Sequence, residues 1–296
     1  MNETDLLAHR FEEHRGHLRA VAYRMLGSTA EAEDAVQEAW LKLSRTDVAE
    51  IRNLGAWLTT VTGRLCLDML RSRTTRREDP LDDTFVPDPV IRPLTSIDTE
   101  EEVLHADSVG LALLVVLETL EPAERLAFVL HDMFAVPFDD LAPIVDRSAA
   151  ATRQLASRAR RRVQGATPSC EPDPGRRREV LDAFLAASRA GDFEALVSVL
   201  HPDVVLRADS GKLVGAAASK GLRGAQAVAE QAMLFREFAP YARMVLVNGE
   251  PGFVNVVDGR IQSVMGVTVA DGRIAEMYIL ADPERLAALD LPEGVG

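Results

Sequence analysis

Residues 138–163 read FDDLAPIVDRSAAATRQLASRARRRV. A short helical pattern over 138–145 meets a break at Asp146-Arg147. A longer helical pattern then opens at Ser148, a residue whose hydroxyl can cap the free N–H groups of a first turn. Short helix, tight turn and long helix is the geometry that lays the second helix in the major groove of duplex DNA. With Ser148 at the cap, the leading turns face base edges and make Ala150, Ala151, Arg153, Gln154 and Ser157 the candidate readers. Arg and Gln suit this role because both form paired hydrogen bonds with purine edges. Further along, Arg158, Arg160, Arg161 and Arg162 are placed to contact phosphates and fix register. A solvated basic face near a helix C-terminus would carry the same arginines. The cap, the turn and the preceding helix together favour DNA. Pro143 is expected to kink the short helix.

Outward from this motif, the helical pattern spans 109–163, with breaks near 120–122, 134–137 and 146–147. The N-terminal third is also helical. Phe11, Leu18, Val21, Met25 and Leu26 recur at helical spacing, and Gly27 stops the helix. Ser28 with Glu31 forms a capping-box pattern that starts the next one. There Ala32, Ala35, Val36, Ala39, Trp40 and Leu43 make one apolar stripe, while Asp34, Gln37, Glu38 and Leu41 line a second, acidic face. A third helix over 54–73 is expected to bury Trp57, Leu58, Val61, Leu65 and Met69.

Net charge is −13 and hydrophobic content 47%. That balance alone argues against nucleic acid, but phosphate contacts are local, and screening acts beyond about 10 Å at 0.1 M salt. Base concentrates in 64–77 and 147–162, and acid in 79–107 between them. The acidic segment also carries Pro80, Pro87, Pro89 and Pro93, and is expected to be an extended, self-repelling linker. The start is acidic and polar with no secretory signal pattern, and no apolar run approaches the ~20 residues of a membrane span. Cys66 and Cys170 match no metal spacing, and a reducing cytoplasm is the expected compartment. His14 and His17 lack a ligand partner at metal spacing and are expected at the surface. No metal and no cofactor is expected.

A second linker covers 166–175, with Pro168, Pro172 and Pro174. From 176 onward two helical stretches, 179–189 and 193–200, precede short β-branched runs. Asn248-Gly249, Asp258-Gly259 and Asp271-Gly272 punctuate those runs and favour hairpin turns. Helices first and antiparallel strands later imply an α+β domain.

AEDAVQEAWLKL (32–43) followed by NLGAWLTTVTGRLCLDMLRSR (53–73) closely resembles region 2 of extracytoplasmic-function (ECF) sigma factors of RNA polymerase. LEPAERLAFVLHDMFAVPFDDLAPIVDRSAAATRQLASRARRRV (120–163) resembles their region 4. The resemblance implies a multidomain, non-enzymatic protein. Its parts would be an all-α region 2 (1–78), a linker (79–107), an all-α region 4 with the helix-turn-helix (108–165) and a second linker. It implies that Asp34, Gln37, Glu38 and Leu41 dock on core RNA polymerase. It also implies that the loop over 46–53, ending at Asn53, captures a base flipped from the −10 element of promoter DNA. Thr60, Arg64 and Arg71 would follow the DNA backbone, and the Ser148 helix would read the −35 element.

Residues 176–296 resemble a SnoaL-like member of the NTF2-like α+β cones, an extension known in a subgroup of these sigma factors. Three short matches point to that subgroup. They are FVPDPV (Phe85, Pro87, Asp88 and Pro89 among them), DSGK (Asp209, Gly211, Lys212) and DPERL (Asp282, Pro283, Leu286). Ser210 stands where the subgroup usually has glycine. The resemblance implies a built-in regulator that packs against region 2 and the linker. It also implies a cone pocket for a small-molecule ligand, with His201, Asp203 and Asp209 as polar candidates. Two other readings explain less. A repressor with a ligand domain leaves residues 1–77 without a role, and a cyclase-like enzyme accounts for the last third alone.

Overall fold

The computed structural model describes residues 3–47, 51–75, 85–94, 109–166, 171–211 and 220–292. The chain forms two compact units: Met1–Pro80 with Val116–Ala166, and Leu81–Val115 with Thr167–Gly296.

The first unit is helical. Its leading helices are α1 (Glu3–Leu26), α2 (Thr29–Leu43) and α3 (Leu54–Thr75). They enclose Phe11, Leu18, Val36, Leu43, Leu54 and Leu58. Gly27 takes a left-handed φ of 68°, which ends α1 where an L side chain would be strained. Ser28 stands at the N-cap of α2 without a side-chain cap bond, and Glu31 pairs with Arg73 of α3 instead of completing a capping box. A guanidinium is a stronger partner for that carboxylate than a neutral backbone N–H.

The second half of this unit holds α4 (Leu111–Glu118), inside which the boundary between units falls, then α5 (Pro122–Phe128) and a π-helical turn at Val129–Met133. It ends with α6 (Phe138–Leu141) and α7 (Ala149–Ala166). The breaks fall where the sequence places them. Pro143 limits α6 to one turn, and hydrogen-bonded turns carry the chain to Val145.

The core stripe of α3 differs from the expected one. Leu58 is buried, but Trp57, Val61, Leu65 and Met69 are only half-buried. The buried line runs through Thr59, Thr62, Gly63, Cys66, Leu67 and Leu70. The cause is tertiary: α5 packs on a further face of α3, where a side chain on Gly63 would strike Leu130. Close helix approach there selects small and hydroxyl residues that a hydropathy stripe omits. Burial pushes the Cys66 thiol up to about 12. His17 is exposed, as expected, and its ring also lies 3.1 Å from the Thr59 hydroxyl and edge-on to Phe134, where desolvation lowers its pKa.

The second unit is α+β. Helices α8 (Pro174–Ala190), α9 (Phe193–Val199) and α10 (Ala225–Leu234) cover one face of a seven-stranded sheet. Its strands are β1 (Ile91–Arg92), β2 (Leu200–Asp209), β3 (Lys220–Arg223), β4 (Ala242–Val247), β5 (Glu250–Val257), β6 (Arg260–Ala270) and β7 (Arg273–Leu280). The spatial order is β1-β4-β5-β6-β7-β2-β3, antiparallel except for the β2–β7 pair. A short helix, α11 (Pro283–Ala287), follows β7. All three expected hairpin turns form, with positive φ at both central residues (54° and 80° at Asn248-Gly249, for example). Register shifts in β2/β7, β5/β6 and β6/β7 bend the sheet around the helices. This is the NTF2-like cone. Its core joins Leu181, Phe184, Leu206, Val228, Phe253 and Met277.

The linker is partly folded rather than extended and self-repelling. Val86, Pro87, Asp88, Pro89 and Ile91 are buried, and β1 adds to the free edge of β4. Edge addition satisfies backbone groups that like-charge repulsion would otherwise leave in solvent.

Candidate nucleic-acid interface and linker clamp

In α7, the N–H of Ala151 donates to Ser148 Oγ at 3.2 Å, so Ser148 serves as the cap. Thr152, Leu155, Ala156 and Ala159 are buried. Ala150, Arg153, Gln154 and Ser157 therefore lie exposed on the opposite side, and Ala151 is half-buried at its margin. The Arg153 guanidinium rests 5.4 Å from the Phe138 ring, which steadies a long side chain beside the turn. The arginines beyond are differently occupied. Arg158 and Arg162 donate to the buried Glu124 carboxylate at 2.8 and 3.0 Å, and Arg160 pairs with Asp132. Among the described residues Arg161 meets only the Ser157 carbonyl, at 3.4 Å, and it is exposed.

On α2, Asp34, Gln37, Glu38 and Leu41 are all exposed, with Leu41 38% accessible, opposite buried Ala32, Ala35, Val36, Ala39 and Leu43. On α3, Arg64 and Arg71 are exposed and Thr60 half-buried on one helical face. Asn53, expected at a base-capturing loop, uses its Oδ1 to accept from the Ala56 N–H at 3.1 Å and so caps α3. Asn53→Ala is expected to cost ~1 kcal/mol of stability, read as a lowered Tm. Much of the 46–53 loop, residues 48–50, lies outside the described residues.

The three motif matches converge on Arg285, in the first turn of α11. Asp282 caps that helix, accepting from the Glu284 N–H at 2.9 Å, and Pro283 occupies its first position. The cap turns Arg285 back toward the end of β2. There it donates to Asp209 Oδ2 at 2.8 Å, to Asp88 Oδ1 at 2.8 and 2.5 Å, and to the Val86 carbonyl at 2.6 Å. Its guanidinium also lies 5.1 Å from the Phe85 ring centroid. Gly211 has φ 70°, and a side chain there would run into the Asp282 carboxylate. Ser210 tolerates its position because the positive φ falls one residue later. Leu286 is buried beneath, and Lys212 lies outside the described residues.

A second clamp holds Val90, within the linker, and Val109, just after it, to one side chain. Asn248 is 1% exposed, and its Oδ1 accepts from the Val90 N–H at 3.0 Å. Its Nδ2 donates to the Val109 carbonyl at 3.1 Å, and its N–H donates to the Val90 carbonyl at 2.8 Å. Sequence reasoning missed Arg285 and this use of Asn248. A cation directly after Asp282 and Glu284 in an otherwise acidic motif was the available signal for the first; Asn248-Gly249 signalled only a turn.

The cone encloses a cavity of about 250 Å³. His201, Asp203 and Asp209 do not line it. His201 Nδ1 accepts from the Asp203 N–H at 3.1 Å in a turn, and Asp209 belongs to the clamp. Glu276, held above the usual carboxylate range by burial and accepting from Tyr278 at 2.7 Å, alternates onto the opposite sheet face from cavity-lining Met277 and Ile279. Among the described residues no cluster of three or more His, Cys, Asp or Glu could hold a metal, and no helix is long and apolar enough to cross a membrane.

Residues 10–76 match the Sigma-70 region 2 family model. The chain is 42% identical over 298 residues to the ECF RNA polymerase sigma factor SigJ of Mycobacterium tuberculosis, covering 96% of this chain and 94% of that protein. It is 34% identical over 299 residues to a probable ECF RNA polymerase sigma factor, SigI, of the same organism, across 100% of both. The crystal structure of SigJ superposes with a TM-score of 0.74 and 38% identity, over 96% of this chain and 100% of that one. Because these likenesses run through both helical segments, the linker and the cone, they reach well beyond the helix-turn-helix: the chain belongs to the ECF RNA polymerase sigma factors and carries a C-terminal SnoaL-like, NTF2-like domain.

Proposed function

We propose that this sigma factor, whose role is in transcription initiation, is regulated in cis by its C-terminal domain acting on the linker. In this reading residues 1–78 bind core RNA polymerase through Asp34, Gln37, Glu38 and Leu41 and engage the −10 element through Thr60, Arg64 and Arg71. Residues 108–165 read the −35 element through the exposed face of α7. Residues 79–107 are the tether between them, 166–175 a second linker and 176–296 the regulator. The protein is a DNA-binding initiation factor and no enzyme.

The observation that carries the regulatory part is the grip on the tether. Ten linker residues, 85–94, lie in the second unit. Fully extended they would span about 33–36 Å, and that reach is withdrawn while Arg285 and Asn248 hold them. Val90 and Val109 meet on one asparagine, so the chain between them adds nothing to the span.

In vitro transcription with core polymerase tests the assignment. Full-length chain and a chain ending at Gly165 are compared on the same promoter; equal promoter affinity and equal initiation would remove the regulatory reading. For the DNA contacts, Arg153→Ala with Gln154→Ala should weaken promoter binding by about 1–3 kcal/mol per lost base contact, while polymerase pull-down stays unchanged. An unaltered footprint over the upstream element would exclude α7 as the reader.

A further inference from the structure

The cavity in the cone is walled by Phe184, Leu206, Phe253, Met265, Met277 and Ile279 among other apolar groups. Of its described lining residues Arg236 alone is ionisable, and it is exposed. Phe235 lines the same cavity and is 55% exposed, and its neighbour Leu234 is 72% exposed. Exposed apolar groups of this size beside a concave apolar site mark contact with something other than water.

One polar group inside is left incomplete. Asn255 Nδ2 donates to Ser263 Oγ at 2.8 Å across the β5–β6 pair, and Asn255 Oδ1 is buried with no hydrogen-bond partner among the described residues. The Ser263 hydroxyl can donate as well as accept, so the amide can also be turned over. In either orientation one end of the Asn255 amide is left unpaired within the cavity wall. A ligand hydroxyl satisfies either end, since it both donates and accepts. A carboxylate would lose its hydration against apolar walls.

The cavity and the Arg285 clamp share a strand end. Ala208, Ser210 and Ala281 line the cavity, while Asp209 and Asp282, alternating with them, belong to the clamp. The Ala281 N–H donates to the Asp209 carbonyl at 2.7 Å, which ties the two strand ends together.

We propose that the cavity binds a compact, uncharged, mainly apolar molecule bearing a hydroxyl that pairs with Asn255, and that this ligand tightens the hold on the linker. A molecule that fits the cavity as it stands in the clamped form favours that form to the extent that releasing the clamp reshapes the shared strand end. Linkage is reciprocal: loosening the clamp weakens the ligand by the factor by which the ligand strengthens the clamp. The inference rests on the linker clamp as the regulated element.

The test uses full-length chain with 1-naphthol as probe and naphthalene and 1-naphthoate as comparators. Binding is read by calorimetry, and hydrogen exchange is followed at the Val86 and Val90 amides. The expected result is that 1-naphthol binds more tightly than either comparator and slows exchange at both amides by about fivefold or more. Asn255→Ala should weaken it about tenfold, and Ala208→Phe, a second variant that fills the space, should remove binding. No heat of binding at millimolar 1-naphthol, or tighter binding of 1-naphthoate, overturns the ligand class. Affinity that neither variant changes overturns the site. Binding that leaves both amides unchanged overturns the coupling. If the ligand fails while Arg285→Ala still alters transcription, cis regulation stands and the ligand alone falls.

Discussion

Arg285→Ala is expected to free the linker and bring transcription by the full-length protein to the level of the chain ending at Gly165. The guanidinium serves Asp88, Asp209 and the Val86 carbonyl at once, and its side chain is only 23% exposed. Removing it takes the shared guanidinium away from two carboxylates that are only 10% and 14% exposed. Breaking a buried pair by deleting one partner costs about 3–5 kcal/mol, more than one edge pairing of two residues in β1 can hold. Hydrogen exchange at the Val86 amide should therefore rise by two orders of magnitude or more, roughly the factor that 3 kcal/mol represents. Arg285→Lys should not rescue, because a single ammonium cannot present a planar fork to three acceptors. Unchanged protection at Val86 in Arg285→Ala would mean that the clamp holds nothing.

Arg125→Ala is expected to be the most damaging single change in the helical unit. Arg125 is 2% exposed. It grips the Glu118 carboxylate through both terminal nitrogens at 2.6 and 2.9 Å and donates to the Met25 carbonyl at 2.8 Å. One side chain thus ties α4 and α5 to the end of α1, a hundred residues earlier. Alanine would strand a buried carboxylate and an unpaired carbonyl, again about 3–5 kcal/mol, which lowers Tm by roughly 10 °C or more in a unit of this size. Thermal unfolding followed by helical circular dichroism measures it. Arg125→Met with Glu118→Leu should recover most of the loss, since a neutral pair of similar volume removes both the charge and its partner. Equal Tm values for the single and double variants would sink the buried-charge explanation.

Interactions spanning a few residues were readable in the chain. Asp146 takes a positive φ of 53° where the turn before Ser148 was expected, and α7 turns Arg153 and Gln154 outward as its apolar spacing requires. Asn248-Gly249, Asp258-Gly259 and Asp271-Gly272 each form the anticipated turn because left-handed backbone is a local property of those residues. The α3 stripe went astray where a neighbour from 60 residues later covers a second face. A hydropathy pattern records how many faces are buried only when there is one.

The amino-acid order alone determined the helices, the turns, the helix-turn-helix and the change to α+β grammar after residue 176, since caps, periodicity and turn chemistry act within a few residues. Tertiary structure alone decided that Asp88 meets Arg285 across 197 positions, that Asn248 joins Val90 to Val109, and that the amide of Asn255 lies in the wall of an apolar chamber. Such pairings depend on how a curved sheet brings strand ends together, and nothing in the immediate surroundings of any of those residues encodes that.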